Sequence, residues 1–258
     1  MLPIRVGLHN HTCFSDGRLS PEQLLAQAQS LGYERFAITD HNSIAGWQSL
    51  EVLPEWALPG IELSALSMDG TEVHLLGLGI RSEGRVLEHS QTFQALYNAL
   101  WQEGTYLLTG DLQLAEWAFN PLTRSLSIEK LRVQSGAPRV VGAWAETHNR
   151  YYQQKLRPLI PHWSEGIEWL HRAGAQVGLA HPQRYPHIPD LDQLLDSVDA
   201  VEVIHPSHTP EQRTHWREQA QRRGKACWAS HDFHGWSGEQ KDGLLPPIIL
   251  ERAWLEGG

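Results

Sequence analysis

Among the side chains able to bind metal, His9 with His11 and Asp232 with His234 stand two residues apart. Residues i and i+2 of a strand share one face, so each pair can converge on one ion. Other candidates follow short apolar runs. Thr39-Asp40-His41, Ile61-Glu62 and Ala180-His181-Pro182 each close such a run, and another ends near Glu202 and His205. His74 lies early in a further run, and Asp16 sits in the loop Ser15-Asp16-Gly17. Fifteen histidines stand beside only four lysines. Imidazole is the commonest protein metal ligand, and mixed histidine and carboxylate ligation suits Mn, Fe or Zn. Any one of these residues alone reads as a polar side chain at a strand end. Their recurrence at the same end of nearly every run points to a metal centre.

Such convergence needs a scaffold that gathers many strand ends. Short apolar runs alternating with helical patterns predict a parallel α/β sheet or barrel, in which reactive groups collect at the C-terminal ends of the strands. The expected strands are 4–8, 36–39, 58–63, 73–80, 175–180, 200–204 and 226–229. Ser20-Pro21-Glu22-Gln23 and Thr209-Pro210-Glu211-Gln212 each spell a capping box with proline at the first helical position. Gly32 suits the end of the first of these helices. Between 82 and 160 the alternation breaks, and Phe93, Leu96, Tyr97, Leu100 and Trp101 fall at helical spacing. Further helical stretches follow Asn120-Pro121. The expected organisation is a barrel domain over 1–81 and 161–258, interrupted by a mainly helical insertion over 82–160. That insertion carries eight Lys/Arg against seven Asp/Glu, in a chain of net charge −9. It is the less acidic part and a candidate face for an anionic substrate; a structural cap is the plainer alternative.

A chain of 258 residues suffices for one barrel with an insertion. With 41% hydrophobic and 20% charged residues, the composition is globular. The acidic balance argues against general nucleic-acid binding by a basic surface, while leaving room for a local anion site. No segment reads as a signal peptide or approaches membrane-spanning length. Two cysteines, Cys13 and Cys227, cannot build a disulfide framework. The expectation is a cytoplasmic protein that engages no membrane.

The stretch Leu8-His9-Asn10-His11-Thr12, followed by Ser15-Asp16-Gly17, Pro21 and Ile38-Thr39-Asp40-His41, resembles the PHP (polymerase and histidinol phosphatase) superfamily. Gly60-Ile61-Glu62, Ala180-His181-Pro182-Gln183-Arg184-Tyr185 and Asp232-Phe233-His234-Gly235 continue the likeness in order. It covers residues 1–81 and 160–240 and is nearest to the stand-alone branch with a helical insertion, which hydrolyses nucleotide phosphates and short RNA from the 5′ end. The insertion itself is similar only around Ala137-Pro138-Arg139. The resemblance implies a distorted (β/α)7 barrel with two to three divalent ions. Carried over, His9, His11, Glu62 and Asp232 hold one ion. Glu62 bridges to a second, with His74 and His181, and Asp16, His41 and His234 hold a third. Two positions depart from the family: Gly7 stands where it usually has Asp, and Ser230-His231-Asp232 where it usually has Gly-Ser-Asp. Neighbours of this kind orient metal ligands, so orientation is what these departures bear on.

The implied reaction is hydrolysis of a phosphomonoester or phosphodiester of a nucleotide or short RNA, such as a nucleoside 3′,5′-bisphosphate, by metal-bound hydroxide. Glu62, His181, Asp232 and His234 are its expected catalytic residues. A metal ion lowers the pKa of bound water to about 7, and paired ions clamp attacking and leaving oxygens. Two or three such ions among three carboxylates make a cationic pocket in an acidic protein, open to small anions and closed to duplex DNA. Arg184, three residues after His181, and Arg139 in the insertion are candidates to grip phosphate, and His205 and His208 are candidates to line the pocket. Some of the eleven tryptophans can stack a base, though most fit a core role. The sequence does not say whether the chain has protein partners.

Two rival readings differ in specific residues. An amidohydrolase-type C–N hydrolase also opens with H-x-H, but often bridges its metals with a carboxylated lysine. Lys130, Lys155, Lys225 and Lys241 all lie away from the expected strand ends. A non-catalytic metal-binding module would rest on Gly7 and His231 alone, since no ligand position is lost.

Overall fold

The computed structural model describes residues 3–134 and 149–256. Its strands are β1 (Pro3–Gly7), β2 (Arg35–Ile38), β3 (Ala57–Leu66), β4 (Glu72–Leu78), β5 (Gln176–Leu179), β6 (Ala200–Ile204), β7 (Ala226–Ala229) and β8 (Ile248–Glu251). They form one sheet in the order β7-β6-β5-β4-β3-β2-β1-β8. The sheet nearly closes into a barrel. The amide of Leu8 donates to the carbonyl of Ala229 at 3.2 Å, and Asn10 bridges Phe233 in parallel register. The lower part of the same β1 edge is taken by β8, antiparallel from Pro3 to Val6.

Three expectations change. The barrel has eight strands, since β8 joins the seven expected. The sheet is mixed, because β4 runs antiparallel to both β3 and β5. Finally, β3 does not end at Glu62. It continues to Leu66 and forms a long hairpin with β4, pairing Gly60 with Leu78 through to Leu66 with Glu72. A five-residue hairpin loop cannot make a parallel crossover, and Gly70 (φ 80°) supplies the left-handed residue this turn needs.

The barrel interior is filled by Ile4, Val6, Leu8, Leu76, Leu78 and Trp228 among others. The Trp228 ring lies across Gly178, where a Cβ would come within 2.4 Å of it, so only glycine fits there. Helix α1 (Pro21–Ser30) packs Leu24, Leu25 and Ala28 against Phe36 and Ile38. Its capping box is formed, with Ser20 accepting from the Gln23 amide and the Gln23 side chain accepting from the Ser20 amide. Short α2 (Ala45–Gln48) follows β2. After β4 the chain enters α3 (Gly84–Thr109), α4 (Leu112–Phe119) and α5 (Pro121–Gln134), then a π-helical turn at Tyr152–Leu156. Helix α6 (Trp163–Arg172) returns to the sheet and buries Ile167 and Leu170 with Leu63 and Leu75. Helices α7 (Leu191–Ser197), α8 (Pro210–Arg222) and α9 (Arg252–Glu256) complete the shell, and α8 forms the second capping box, at Thr209.

The helices after β4 are tied to the barrel by a buried cation. Arg124 of α5 is 2% exposed and forms no ion pair with a carboxylate among the described residues. Its Nη1 donates to the carbonyls of Cys13 and Ser15 at 3.3 Å each, and its Nη2 to Asn98 Oδ1 at 2.5 Å. The guanidinium stands 5.0 Å from the Tyr97 ring and 5.7 Å from the Trp101 ring. One side chain thus clasps the loop after β1 to α3.

Candidate metal centre

The loop after β1 is pinned so that His9 and His11 point into the barrel mouth. Asn10 Nδ2 donates to the carbonyls of Gly7 (2.9 Å) and Ala37 (3.0 Å). Asp40 accepts from the Thr12 amide (2.7 Å), the Thr12 hydroxyl (2.7 Å) and the Ser15 hydroxyl (2.6 Å), fixing the segment that carries Asp16. Glu62 lies mid-strand in β3. His74 stands opposite Ser64 on β4, one diagonal step from Glu62 on the same face. Because β4 is antiparallel, its early residues lie at the end where the parallel strands finish. That reversal is why His74 joins the cluster from the beginning of its strand.

The three non-glycine residues with positive φ among those described are Asn42 (53°), His181 (27°) and Asp232 (47°). All three lie in the loops that build this site. Such conformations cost on the order of 1–3 kcal/mol each and persist where surrounding structure holds them.

All nine candidate ligands meet in one group, with His9, His11, Glu62, His181 and Asp232 buried and Asp16, His41, His74 and His234 partly exposed. Glu62 is at its centre. Its Oε1 is 2.7 Å from His74 Nδ1 and 2.9 Å from His181 Nε2. Its Oε2 is 3.0 Å from His9 Nε2, 3.2 Å from His11 Nε2 and 3.0 Å from His41 Nδ1. Asp232 Oδ1 is 3.3 Å from His9 Nε2 and 3.1 Å from His11 Nε2. Asp16 Oδ2 is 3.3 Å from His234 Nε2 and 3.8 Å from His41 Nε2, and Asp16 Oδ1 is 3.7 Å from His11 Nδ1. Ligand-sized groupings are His11–Asp16–His41–His234, His9–Glu62–His181, His9–His11–Asp232 and His41–Glu62–His74.

Hydrogen bonding alone does not satisfy this arrangement. His9 Nδ1 lies 3.2 Å from the buried carboxylate of Glu202 and so carries the proton. In the neutral imidazole, the form that ligates a metal, the lone pair of Nε2 then faces Glu62, Asp232 and, at 3.0 Å, the Nε2 of His11. His234 repeats the problem. Its Nδ1 donates to the carbonyl of Asp232 at 2.9 Å, which turns an Nε2 lone pair toward Asp16. Glu62 Oε2 and Asp16 Oδ1 are buried without a hydrogen-bond donor. Acceptors aimed at acceptors in a dry site are costly unless a cation lies between them. The donor set therefore fits divalent ions.

Protons substitute for those cations only in part. Burial pushes the Glu62 and Asp232 carboxyls up, but the imidazoles around them outweigh it and hold both well below the usual carboxylate range. Burial pulls His11 and His74 down, yet the adjacent carboxylates win and raise them to about 10 and about 9. For His41 and His181 burial wins, and both fall to about 4.

Arg184, half-exposed, donates from Nη2 to Asp232 Oδ2 at 3.1 Å, and its Nη1 is 3.4 Å from His181 Nε2. His205 is buried with Nε2 3.1 Å from Asp232 Oδ2. His208 turns away, its Nδ1 3.1 Å from the carbonyl of Val203. Arg139 lies outside the described residues. The space at Gly7 belongs to Tyr33, since a Cβ there would meet the Tyr33 ring at 2.6 Å. His231 bonds the carbonyl of Pro246 at 2.8 Å and makes no contact with the cluster among the described bonds. Lys130 covers the Trp117 ring, and Lys225 donates to the carbonyl of Asp196.

Two contributors had no role assigned from sequence. Glu202 takes His9 through Oε1 and the backbone amide of His181 through Oε2 (2.7 Å), so one carboxylate orients two candidate ligands. The signal is a lone charge inside the apolar run Ala-Val-Glu-Val-Ile, which must find a partner if buried. Glu72 lies 3.4 Å from His74 Nε2. Here the signal is the i, i+2 spacing of Glu72 and His74, the same rule that links His9 to His11.

A model of the PHP domain matches residues 7–111. Along most of its length the chain is similar to three curated proteins. It is 28% identical to the phosphoribosyl 1,2-cyclic phosphate 1,2-diphosphodiesterase of Eggerthella lenta, over 93% of this chain and 96% of that one. It is 28% identical to the 5′-3′ exoribonuclease Rnm of Escherichia coli, over 88% and 84% respectively. It is 27% identical to the 3′,5′-nucleoside bisphosphate phosphatase of Chromobacterium violaceum, over 89% and 87%. A crystal structure of a candidate metal-dependent phosphoesterase from Bifidobacterium adolescentis superposes with TM-score 0.67 at 25% identity, covering 95% of this chain and 93% of that one. Among the described residues no helix is long and apolar enough to cross a membrane. Motif order, the nearly closed mixed barrel and these relatives together mark the chain as a phosphoesterase with a PHP-domain match over residues 7–111.

Proposed function

We propose that this phosphoesterase hydrolyses phosphomonoesters or phosphodiesters of nucleotides or short RNA, with two to three Mn, Fe or Zn ions bound at the cluster. The observation that carries the proposal is the facing of buried acceptors around Glu62, together with the second such facing at Asp16. His9, His11, Glu62 and Asp232 would hold one ion, and Glu62, His74 and His181 a second. Asp16, His41 and His234 would hold the third, with His11 close by. Bound there, the ions would supply an activated water and neutralise charge developing on phosphate oxygens.

The chain's own residues do the remaining work. Glu202 keeps the proton of His9 on Nδ1 and leaves Nε2 free as a ligand. Arg184 is tied to Asp232 through one arm; its planar fork suits a phosphate and can exchange the carboxylate for it. His205 approaches the same Asp232 oxygen and stands as the second phosphate-side residue. Glu62, His181 and Asp232 are assigned as catalytic because they border the facing acceptors around Glu62, and His234 because its Nε2 borders the second facing, at Asp16. The test is a phosphatase and nuclease screen of chelator-treated protein, with and without added Mn²⁺. Hydrolysis that appears only with metal supports the reading. No activity on any phosphoester, with no metal retained on elemental analysis, removes it.

A further inference from the structure

Helix α5 reaches the metal cluster without supplying any of its candidate ligands. The reach is made by Arg124, whose guanidinium finds an acceptor for each of its N–H groups. Nε donates to the carbonyl of Ala118 at 3.0 Å, and Nη2 to Asn98 Oδ1 at 2.5 Å and the carbonyl of Phe119 at 3.5 Å. Nη1 donates to the carbonyls of Cys13 and Ser15. Ser15 directly precedes Asp16. We propose that Arg124 is a positioning residue for Asp16, holding its carboxylate at the place assigned to the third ion through the Ser15 carbonyl. The proposal rests on the reading that gives Asp16, His41 and His234 to that ion.

Backbone geometry is the first argument. A peptide unit is planar, so the direction of the Ser15 carbonyl fixes that of the Asp16 amide. The next peptide plane is held as well, because the Asp16 carbonyl accepts from Trp236 Nε1 at 2.6 Å. Both planes that meet at the Asp16 Cα are thus gripped by side chains from far along the chain. One comes from α5. The other follows His234, a candidate ligand of the same ion, by two residues. The Asp16 carboxylate has less to hold it directly. Its Oδ1 is buried without a donor, and the imidazole nitrogens around it stand 3.3 to 3.8 Å away. The backbone therefore sets where it points.

Complementarity within the loop is the second argument. Asp40 takes the donors of this segment, the Thr12 amide and the Thr12 and Ser15 hydroxyls. Arg124 takes its carbonyls. Removing the guanidinium leaves those carbonyls free to rotate while Asp40 still anchors the start of the turn. The third argument is what else the guanidinium touches. It joins the end of α4 to Asn98 of α3 and lies 5.0 Å from the Tyr97 ring and 5.7 Å from the Trp101 ring. Seating of α3, α4 and α5 and placement of Asp16 thus depend on one residue. Partners that orient metal ligands typically change metal affinity by about 10–100-fold when lost.

The test is calorimetric titration of chelator-treated protein with Mn²⁺ alone, which needs no turnover. Wild type is compared with Asp16→Ala, Arg124→Met and Arg124→Lys, each checked for folding by circular dichroism. Asp16→Ala identifies the Mn²⁺ site that depends on Asp16. Arg124→Met should weaken that same site about tenfold or more and leave the others within about twofold. Arg124→Lys keeps the charge but loses the fork that spans both carbonyls, so it should fall between Arg124→Met and wild type. It takes the place of Arg124→Met if that variant does not fold. In the Asp16→Ala background, Arg124→Met should lower neither the remaining Mn²⁺ affinity nor kcat/KM on a simple phosphomonoester, because its effect passes through Asp16. Unchanged affinity at every site, equal weakening of all sites, or a further loss in the double variant each overturns the proposal. The two readings fail separately. Wild type that binds no Mn²⁺ removes the metal-dependent reading together with this one. Mn²⁺-dependent hydrolysis with every site intact in the Arg124 variants removes only the role of Arg124.

Discussion

Glu62 touches five imidazoles with two oxygens, whereas Asp16 sits at one edge of the group. Their losses should therefore differ. Glu62→Ala removes the side chain shared between two assigned ions, and turnover should fall on the order of 10³-fold or more, because metal activation of water supplies the nucleophile. Asp16→Ala should cost less if the third ion mainly positions substrate. Steady-state kinetics and metal content of both variants decide this; near-normal turnover in Glu62→Ala refutes the bridging role. Arg184→Ala should lower kcat/KM about tenfold or more, as expected from loss of a charge-assisted bond of about 1.5–3 kcal/mol. An unchanged kcat/KM on every phosphoester would remove Arg184 from the phosphate side.

At the scale of elements, the coupling between α3, α5 and the barrel carries two predictions. Arg124→Met leaves the carbonyls of Cys13 and Ser15 without their donor. Each buried acceptor so stranded costs about 1–3 kcal/mol, so denaturant unfolding should show a loss of that order or larger. Wild-type stability in this variant would mean that the clasp is dispensable. The second concerns His89, whose imidazole in α3 is lowered by burial to about 4 from an ordinary 6.5. Between those values the unfolded chain binds the proton and the folded one does not, so stability rises with pH. This contribution is present above pH 6.5 and is lost as pH falls toward about 4. Replacing the titrating group, as in His89→Phe, should flatten that part of the pH–stability curve. Parallel curves for variant and wild type would exclude the effect.

For the molecule as a whole, the expected driving term is metal. Ions that bind the folded chain and not the unfolded one add about 2.7 kcal/mol at one hundred times Kd. Chelation should therefore lower the melting temperature, and Mn²⁺ or Zn²⁺ should restore it. A melting temperature indifferent to chelator and metal would contradict the assignment. Net charge works in the other direction. At −9 the surface repels long polyanions, and binding to duplex nucleic acid needs many cationic contacts. With ions bound at the cluster the charge there would be locally positive, which would admit small phosphoesters.

The sequence by itself determined most of what is local or periodic. Spacing of two marked out His9/His11 and Asp232/His234, although both pairs lie in the loops just beyond β1 and β7 rather than on a strand face. Ser20 and Thr209 form their capping boxes from four consecutive residues, and β6 and β7 occupy the predicted runs 200–204 and 226–229. Motif order likewise carried the family resemblance. What tertiary structure decided was direction, partnership and strain. Whether β4 runs parallel or antiparallel is invisible in a period-two pattern, because side chains alternate identically either way. Only that direction explains His74. Glu202 and Glu72 show their roles through partners far along the chain or across a strand. The left-handed backbone at His181 and Asp232 depends on contacts that no local propensity encodes. Gly7 departs from the family pattern because Tyr33, 26 positions later, fills the space its side chain would need.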